Sequence, residues 1–404
     1  MTLLPSVTVV LPCLDEADSV VACIEEAQLG LARAGVSGEV VVVDNGSVDG
    51  STRLARDAGA RVVREPTAGY GAALRRGIAE ARGSIVVMAD ADLTYDLSRL
   101  GELIEPIVEN RAELVLGSRS DGASRHTMPF LHRFVGTPVL SLLVRRASRG
   151  LDVRDSQSGY RAIATNRARR LDLKATGMEF ASEMLIRASF DGMRIEELAL
   201  GYRPRTGESK LHTLSDGLRH LQLILLLAPQ LLLFWPGLAM LSAGFMLSIL
   251  SLLNPTGFDL GPLRWQPIFF GPILIVLGTM AALSGAVIAH HSPLARLYRT
   301  RGFGFVSERR FAIGSIAVGS AMLATGLGIN LVLFVIWITN ETSPIRALAV
   351  AGLAQALVIT GAILAAFGLI YRVVVRQTGY LDAGEVDISR FVLDTASPSA
   401  PHDF

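Results

Sequence analysis

Residues 87–96 read VMADADLTYD: the end of an apolar run, then Asp90 and Asp92, then a turn. Side chains alternate along a strand, so residues i and i+2 point the same way. Two carboxylates on one side of a strand's end, just past a buried run, make a hard-oxygen pair suited to Mg2+ or Mn2+. A cation held there can in turn hold a diphosphate. An isolated Asp-x-Asp is common. Here it follows by about 45 residues another apolar run that ends in Asp44, and it precedes a strongly apolar C-terminal half.

Working outward, apolar runs bounded by turn residues predict strands over 7–11, 39–43, 60–64, 85–88 and 114–117. Helical patterns separate the early ones, over 19–34, 50–58 and 70–81. Strands alternating with helices predict an α/β domain with a mostly parallel sheet covered on both faces. Such sheets bind ligands beyond the carboxyl ends of their strands. Those ends carry Pro12 to Glu16, Asp44, Glu65, Asp90 with Asp92, and Arg119. Carboxylates stand at four of these five places, which points to a nucleotide-and-metal crevice.

The chain has 404 residues, half of them apolar, and a mean hydropathy of +0.42. That is too apolar for a water-soluble enzyme of this size. The excess lies in four runs near 232–253, 267–290, 311–338 and 347–371, each reaching the roughly 20 residues that a bilayer core requires. The loop between the second and third carries Arg296, Arg299, Arg301, Arg309 and Arg310, whereas the other two loops hold only Arg264 and Arg346. The positive-inside rule places the arginine-rich loop in the cytosol. Four spans then return the C-terminus to the same side, where Arg372 and Arg376 agree. The opening MTLLPSVTVVLP has no charged leader and runs straight into a strand, so no cleavable signal is expected. The expectation is a multi-pass protein of the plasma or inner membrane, its catalytic domain and C-terminus cytosolic.

Residues 1–212 form the expected cytosolic domain, 213–230 an interfacial amphipathic helix, 231–375 the four-span domain and 376–404 a cytosolic tail. The interfacial reading rests on SDGLRHLQLILLLAP, residues 215–229, which starts polar and ends apolar. Residues 128–151 mix apolar turns with Arg133, Arg145, Arg146 and Arg149, and read as amphipathic helices facing lipid headgroups, with a soluble basic face as the alternative. Residues 387–404 show no periodicity and read as a mobile tail. The net charge of +1 provides no field for nucleic acid. Cys13 and Cys23 read as buried free thiols. The histidines lack zinc-site spacing, and neither a P-loop nor a Gly-x-Ser-x-Gly elbow is present.

Six segments occur in order: VVLPCLDEADSVVACI from Val9, VVVDNGSVDGST from Val41, AGYGAALRRGIAEARGSIVVMADADLTYD from Ala68, GSRSDG from Gly117, DSQSGYRAI from Asp155 and YRPRTGESKL from Tyr202. Together they resemble glycosyltransferase family 2, which has the GT-A fold. Within it they are similar to the polyprenyl-phosphate glycosyltransferases of the dolichol-phosphate mannose synthase type. The resemblance covers about residues 5 to 212. It implies a GT-A nucleotide-sugar-binding domain followed by interfacial helices and a four-helix transmembrane domain.

The resemblance also implies roles. Asp44 would accept the N–H groups of a uracil or guanine base, with Pro12, Asp15 and Glu16 lining the nucleotide pocket; as an alternative, Asp44 is a turn acid. Asp15 stands where many members have Asn. Asp92 would ligate the cation, with Asp90 on the ribose or the metal shell. Thr94 replaces the Gln that some relatives carry, a weaker ligand. Gly69 and Gly71 open a helix whose N–H groups suit a phosphate or sugar hydroxyl, or simply punctuate the chain. Arg119 would stand near the phosphates or the acceptor. Asp155 would be a general base toward a hydroxyl acceptor, or would position an acceptor that arrives ionised. Arg161 would meet a phosphate or pair with Asp155. Arg205, Ser209 and Lys210 would meet donor or acceptor phosphate; ordinary positive-inside charge is the alternative.

The implied reaction is inverting transfer of one sugar from a GDP- or UDP-sugar to polyprenyl phosphate, with Mg2+ or Mn2+. The four spans read as a platform, shared across a homo-oligomer, that admits the lipid. Three rivals stand beside this reading. A processive polysaccharide synthase would carry Gln-x-x-Arg-Trp, but Gly261 precedes Arg264-Trp265 where Gln is required. Another membrane lipid as acceptor would need Asp155 as a true base. A scaffold with a nucleotide-sensing domain would not need the acids, Arg119 and the Ser-Lys pair.

Overall fold

Val40 to Val43 shows no polar alternation, and all four valines are buried, at 0–5% exposure. A strand so composed is covered on both faces. It is the core of β2 (Gly38–Asp44) in a computed structural model that describes residues 6–119, 137–204, 213–254, 258–260, 263–265, 268–291, 308–339 and 344–394. The chain divides into two compact units, Met1–Ala228 and Pro229–Phe404.

The first unit is built on a seven-stranded sheet. Its strands are β1 (Val7–Cys13), β2, β3 (Arg61–Arg64), β4 (Ile85–Met88), β5 (Leu114–Ser118), β6 (Arg161–Ala164) and β7 (Ile195–Ala199), in the spatial order β3-β2-β1-β4-β6-β5-β7. The helices are α1 (Val20–Arg33), α2 (Ser51–Asp57), α3 (Tyr70–Glu80), α4 (Leu100–Val108), α5 (Thr137–Ala147), α6 (Thr165–Arg170), α7 (Phe180–Phe190) and α8 (Thr213–Leu227). The five predicted strands and three predicted helices are all present. β6 and β7 were not foreseen. β6 is four residues long, and β7, IEELA, carries two acids and is half-exposed, so neither has a strand's apolar signature.

β6 is what brings the site together. It runs antiparallel to both β4 and β5, with Arg161 opposite Met88 on one side and Leu116 on the other. The other neighbouring pairs are parallel. The amino end of β6 therefore lies at the carboxyl ends of its two neighbours. The segment before it, 155–160, is delivered to the residues that follow β4 and β5, the acids Asp90 and Asp92 and the cation Arg119.

Of the basic stretch at 128–151, residues 128–136 lie outside the described residues. The remainder forms α5, which buries Ser141, Val144 and Ala147 and exposes Val139 and Leu142. Cys13 and Cys23 are free and buried; burial pushes the Cys23 thiol up to about 12, which keeps it protonated.

The second unit holds α9 (Trp235–Leu253), preceded by a π-helical turn at Gln230–Phe234, then α10 (Phe270–His291), α11 (Glu308–Ile338) and α12 (Pro344–Asp394). Between α9 and α10 lies a small hairpin, β8 (Phe258–Leu260) with β9 (Leu263–Trp265). Among the described residues four helices are long and apolar enough to cross a membrane: Gln230–Leu253, Phe270–His290, Arg310–Ile338 and Ala347–Val373. α12 runs on to Asp394, so the tail expected at 387–404 is helical over its first part. No proline interrupts the chain between Pro344 and Pro398, and a helix started at its good end has nothing to stop it there.

The four helices pair as two hairpins, each sewn by glycines. A Cβ at Gly237 would stand 2.5 Å from the Ala282 nitrogen, and one at Gly278 2.5 Å from that of Leu241. Gly319 against Ala365 and Gly361 against Leu323 repeat this at 2.5 Å in the second hairpin. Without side chains at these points the backbones approach closely, the packing that associates helices where water provides no driving force.

Candidate active site

The loops after β1 and β2 are laced together. Asp15 accepts from the Val48 N–H at 2.7 Å, while the Asp15, Glu16 and Ala17 N–H groups donate to Ser47, Ser51 and Asp49 side chains at 3.0, 2.9 and 2.8 Å. Asp15 has φ +50°, a left-handed conformation that Asn and Asp tolerate better than other side chains. Either residue therefore suits this position. Pro12 lies within β1, opposite Val43. Asp44 is buried and its Oδ1 accepts from the Ser47 N–H at 2.9 Å, so it does hold the turn. A cleft of about 380 Å³ opens beside it, lined in part by Gly46, Ser47, Val48, Arg56 and Arg64.

Asp90 and Asp92 follow β4. The Tyr70 hydroxyl donates to Asp90 Oδ1 at 2.8 Å. Burial, with the Asp90 charge beside it, pushes that hydroxyl well above its ordinary range, so it remains a donor. Asp92 is buried, and its Oδ1 accepts from both the N–H and the hydroxyl of Thr94, at 3.1 and 2.5 Å. Thr94 thus orients Asp92. Leu93 between them has φ +64°, a strained conformation for a side chain with a Cβ, and the Thr94 bonds help to hold it.

Two carboxylates fit Mg2+ or Mn2+ of the kind that completes its shell with substrate phosphates and water. Among the described residues no group of three or more His, Cys, Asp or Glu stands together.

Gly69 and Gly71 are placed by packing. Gly69 has φ +134°, and a Cβ there would strike the Thr176 carbonyl oxygen. At Gly71 it would lie 2.7 Å from the Ala175 oxygen. The Gly69 N–H is taken by Asn45 at 2.7 Å and that of Ala72 by Thr176 at 3.0 Å. The glycines admit the 175–177 segment against the start of α3, which favours the structural reading over a phosphate cradle. Gly69→Ala is expected to destabilise the fold by at least about 2 kcal/mol through strain and overpacking. Denaturation in detergent checks this, with Gly217→Ala, which meets nothing within 4 Å, remaining near wild type.

Arg119 and Asp155 form the best-built contact of the site. Arg119 donates from Nε to Oδ2 at 2.7 Å, from Nη2 to Oδ1 at 2.8 Å and from its backbone N–H to Oδ2 at 3.1 Å. The side chains are 15% and 4% exposed. Burial alone would raise the Asp155 carboxyl, but the Arg119 charge and hydrogen bonds hold it below the usual carboxylate range. Glu197 of β7 accepts from the Asp155 N–H at 2.9 Å. Arg119 also lies over the Tyr202 ring, 5.6 Å from its centre, and Tyr95 packs between Tyr202 and Tyr160, at 5.5 and 5.3 Å. The Gly159 N–H donates to Tyr95 at 2.9 Å, and a Cβ on Gly159 would stand 3.0 Å from both Asp90 oxygens. The segment bearing Asp155 thus rests against the Asp90 carboxylate.

Arg161 differs from its expected role. It is buried, and its guanidinium donates to the backbone oxygens of Ser158, Ala181 and Ser156 at 2.8 Å each. Its hydrogen bonds go to these carbonyls rather than to Asp155, and they hold the 156–158 turn. Burial lowers it to about 10, leaving it charged near neutral pH. Arg205, Ser209 and Lys210 lie outside the described residues. Just before them Arg203 pairs with Glu26 and Asp96, at 2.7 Å each. The contributions of Tyr70, Tyr95 and Glu197 were not visible in the sequence, where each is an ordinary strand-end or helix residue.

Residues 8–166 match the model of the family described as "Glycosyl transferase family 2". Over 342 residues the chain is 32% identical to the low-salt glycan biosynthesis hexosyltransferase Agl6 of Haloferax volcanii, covering 84% of this chain and 82% of that protein. It is 33% identical over 181 residues to a dolichyl-phosphate hexose transferase of the same organism, covering 44% of this chain and 76% of that one. A solved structure of glucosyl-3-phosphoglycerate synthase from Mycobacterium tuberculosis, with Mn2+, UDP-glucose and glycerol 3-phosphate, is similar at a TM-score of 0.44 and 26% identity, covering 55% of this chain and 79% of that one.

Proposed function

This chain belongs to glycosyl transferase family 2, among the glycosyltransferases of the dolichol-phosphate mannose synthase type, and we propose that it transfers one sugar, with inversion, from a GDP- or UDP-sugar to a polyprenyl phosphate. The observation that carries the choice of acceptor is the lock between Arg119 and Asp155. A hydroxyl acceptor needs a base to take its proton. Asp155 stands where the family would supply one, yet both its oxygens are engaged by the largely covered Arg119 and its affinity for a proton is lowered. A lipid phosphate, with a second pKa of about 6, arrives ionised and needs no base. Arg119, held in place by Asp155, then meets that anion rather than a neutral hydroxyl.

In this reading the base of the donor sits by Asp44, with Pro12, Asp15 and Glu16 around the nucleoside. Asp90 and Asp92 hold Mg2+ or Mn2+. When bound, the cation neutralises charge on the diphosphate and so favours its departure. Tyr70 and Thr94 keep the two carboxylates aimed. The acceptor phosphate oxygen attacks the anomeric carbon in line, the new C–O bond forms, and the diphosphate oxygen leaves with the electron pair of the old one. Arg205, Ser209 and Lys210 add positive charge for donor or acceptor phosphate. The four apolar helices span the bilayer, the site faces the cytosol with the arginines of 291–310, and a homo-oligomer would widen the platform for the lipid.

The test is sugar transfer by detergent-purified protein with polyprenyl phosphate, Mg2+ or Mn2+, and a panel of GDP- and UDP-sugars. A metal-dependent glycosyl phospholipid is the expected product. Asp155→Asn keeps the shape and loses the charge of the pair, and is expected to slow this reaction by about 10- to 100-fold through misplacement of Arg119. If the variant still folds and binds nucleotide but has no turnover at all, Asp155 is a base and the acceptor is a lipid hydroxyl.

A further inference from the structure

A chain of buried polar groups leads from α8 to the Asp155 turn. His220 on α8 is 4% exposed, and its Nδ1 lies 3.0 Å from the Ser182 hydroxyl of α7. Ser182 is fully buried and accepts from Gln157 Nε2 at 3.1 Å. The same Nε2 donates to the Ser156 hydroxyl at 2.9 Å. Ser156 in turn meets Ser141 of α5 through both its N–H and its hydroxyl, at 3.1 and 3.0 Å. The Gln157 N–H donates to Asp155 Oδ1 at 3.3 Å, the oxygen that also accepts from Arg119.

Apolar side chains would fill the space between α5, α7 and α8 at lower desolvation cost, since each buried polar group must find a partner. Here five side chains from three helices and one turn satisfy one another in series. Such a network fixes a single geometry when it is complete, and its central member, Gln157, donates its backbone N–H to the carboxylate that aims Arg119. α8 is also the last element before the apolar helices begin at Gln230. Its far side exposes Leu218, Leu221 and Leu226; of the two polar residues in its second half, Gln222 is exposed and His220 is turned inward.

We infer that His220, Ser182 and Gln157 are positioning residues: they transmit the seat of α8 to the 155–157 turn and so set the aim of the Arg119–Asp155 pair. The inference rests on the proposed role of that pair and goes beyond it by naming what holds it. None of the three is a catalytic residue, because each acts through the turn.

His220→Leu fills the same space without a hydrogen bond, and His220→Asn restores a polar group at the Nδ1 position. Turnover is compared on whichever lipid acceptor the wild-type protein uses, alongside nucleotide affinity and melting temperature. His220→Leu is expected to lower kcat by about 10- to 100-fold, the cost of a small misplacement of reacting groups, with nucleotide affinity and melting near wild type. His220→Asn is expected to recover most of the loss. Gln157→Met breaks the series at its centre, should lower kcat likewise, and decides the matter if His220→Leu does not fold. Wild-type kcat in both His220→Leu and Gln157→Met would overturn the inference. A loss that follows melting temperature and nucleotide affinity, with no rescue by Asn, would do the same, since the residues would then only support the fold. Should the wild-type acceptor prove to be a lipid other than polyprenyl phosphate, the preceding proposal fails while this comparison still decides the positioning role.

Discussion

Asp92→Asn is expected to lower sugar transfer by about 10³-fold, the largest loss for any change of one atom in this site. The amide oxygen can still accept from the Thr94 N–H and hydroxyl, as Oδ1 of Asp92 does, so the β4 turn keeps its form. What is lost is a negative charge that would face the cation. Charge stabilisation by a bound divalent ion supplies several kcal/mol, and each 1.36 kcal/mol is a factor of ten in rate. Turnover and nucleotide titrations with and without Mn2+ check this together. The variant should bind nucleotide weakly and with little response to metal. Turnover within about tenfold of wild type would remove Asp92 from the metal site and the metal from the mechanism.

Arg119→Ala is expected to damage both fold and rate. Asp155, at 4% exposure, would lose two side-chain hydrogen bonds and the guanidinium charge that pairs with it, while the backbone N–H of residue 119 remains. Removing one member of a buried pair costs about 3–5 kcal/mol, because the other is left charged and desolvated. Turnover should fall by about 10³-fold, as for loss of a donor aimed at reacting charge. The double variant Arg119→Ala/Asp155→Asn removes the stranded charge and should be more stable than Arg119→Ala alone. That non-additivity is the signature of direct coupling. The pH dependence follows from the lowered Asp155 value. A carboxyl held below its unfolded value of about 3.9 stabilises the fold above that pH, and the contribution is lost as pH falls through the folded value. The gap in stability between wild type and Arg119→Ala should therefore be full near neutral pH and close in acid. A constant gap down to the acid limit would mean that the pair is not what the substitution removed.

The parts of the site that the sequence announces are those made by one strand and its own end. Asp44, Asp90 and Asp92 follow buried valine-rich runs, and the geometry of such ends is local. The Arg119–Asp155 pair is of another kind. Its two residues are 36 apart and meet because β6 runs against its neighbours, a choice made by tertiary packing around a four-residue strand with a faint pattern of its own. Arg161 shows the same limit. In sequence it is a cation beside an acid and a glycine; in the fold it faces three carbonyl oxygens that only the turn of 156–158 and the start of α7 bring together. Gly69 and Gly71 were open to two readings because both fit a glycine at a helix start. The 175–177 segment, distant in sequence, supplies a packing reason for both glycines.

The glycine seams of α9 with α10 and of α11 with α12 have a consequence for how such chains can vary. Each hairpin is closed by its own contacts, at Gly237 and Gly278 in one and at Gly319 and Gly361 in the other. A hairpin leaves a bilayer on the side where it entered. Whole pairs can therefore be gained or lost with the parity of crossings unchanged, and each end of the chain keeps its compartment. Deleting a single helix would do two things at once: open a seam of bare backbone to lipid, and invert everything that follows it.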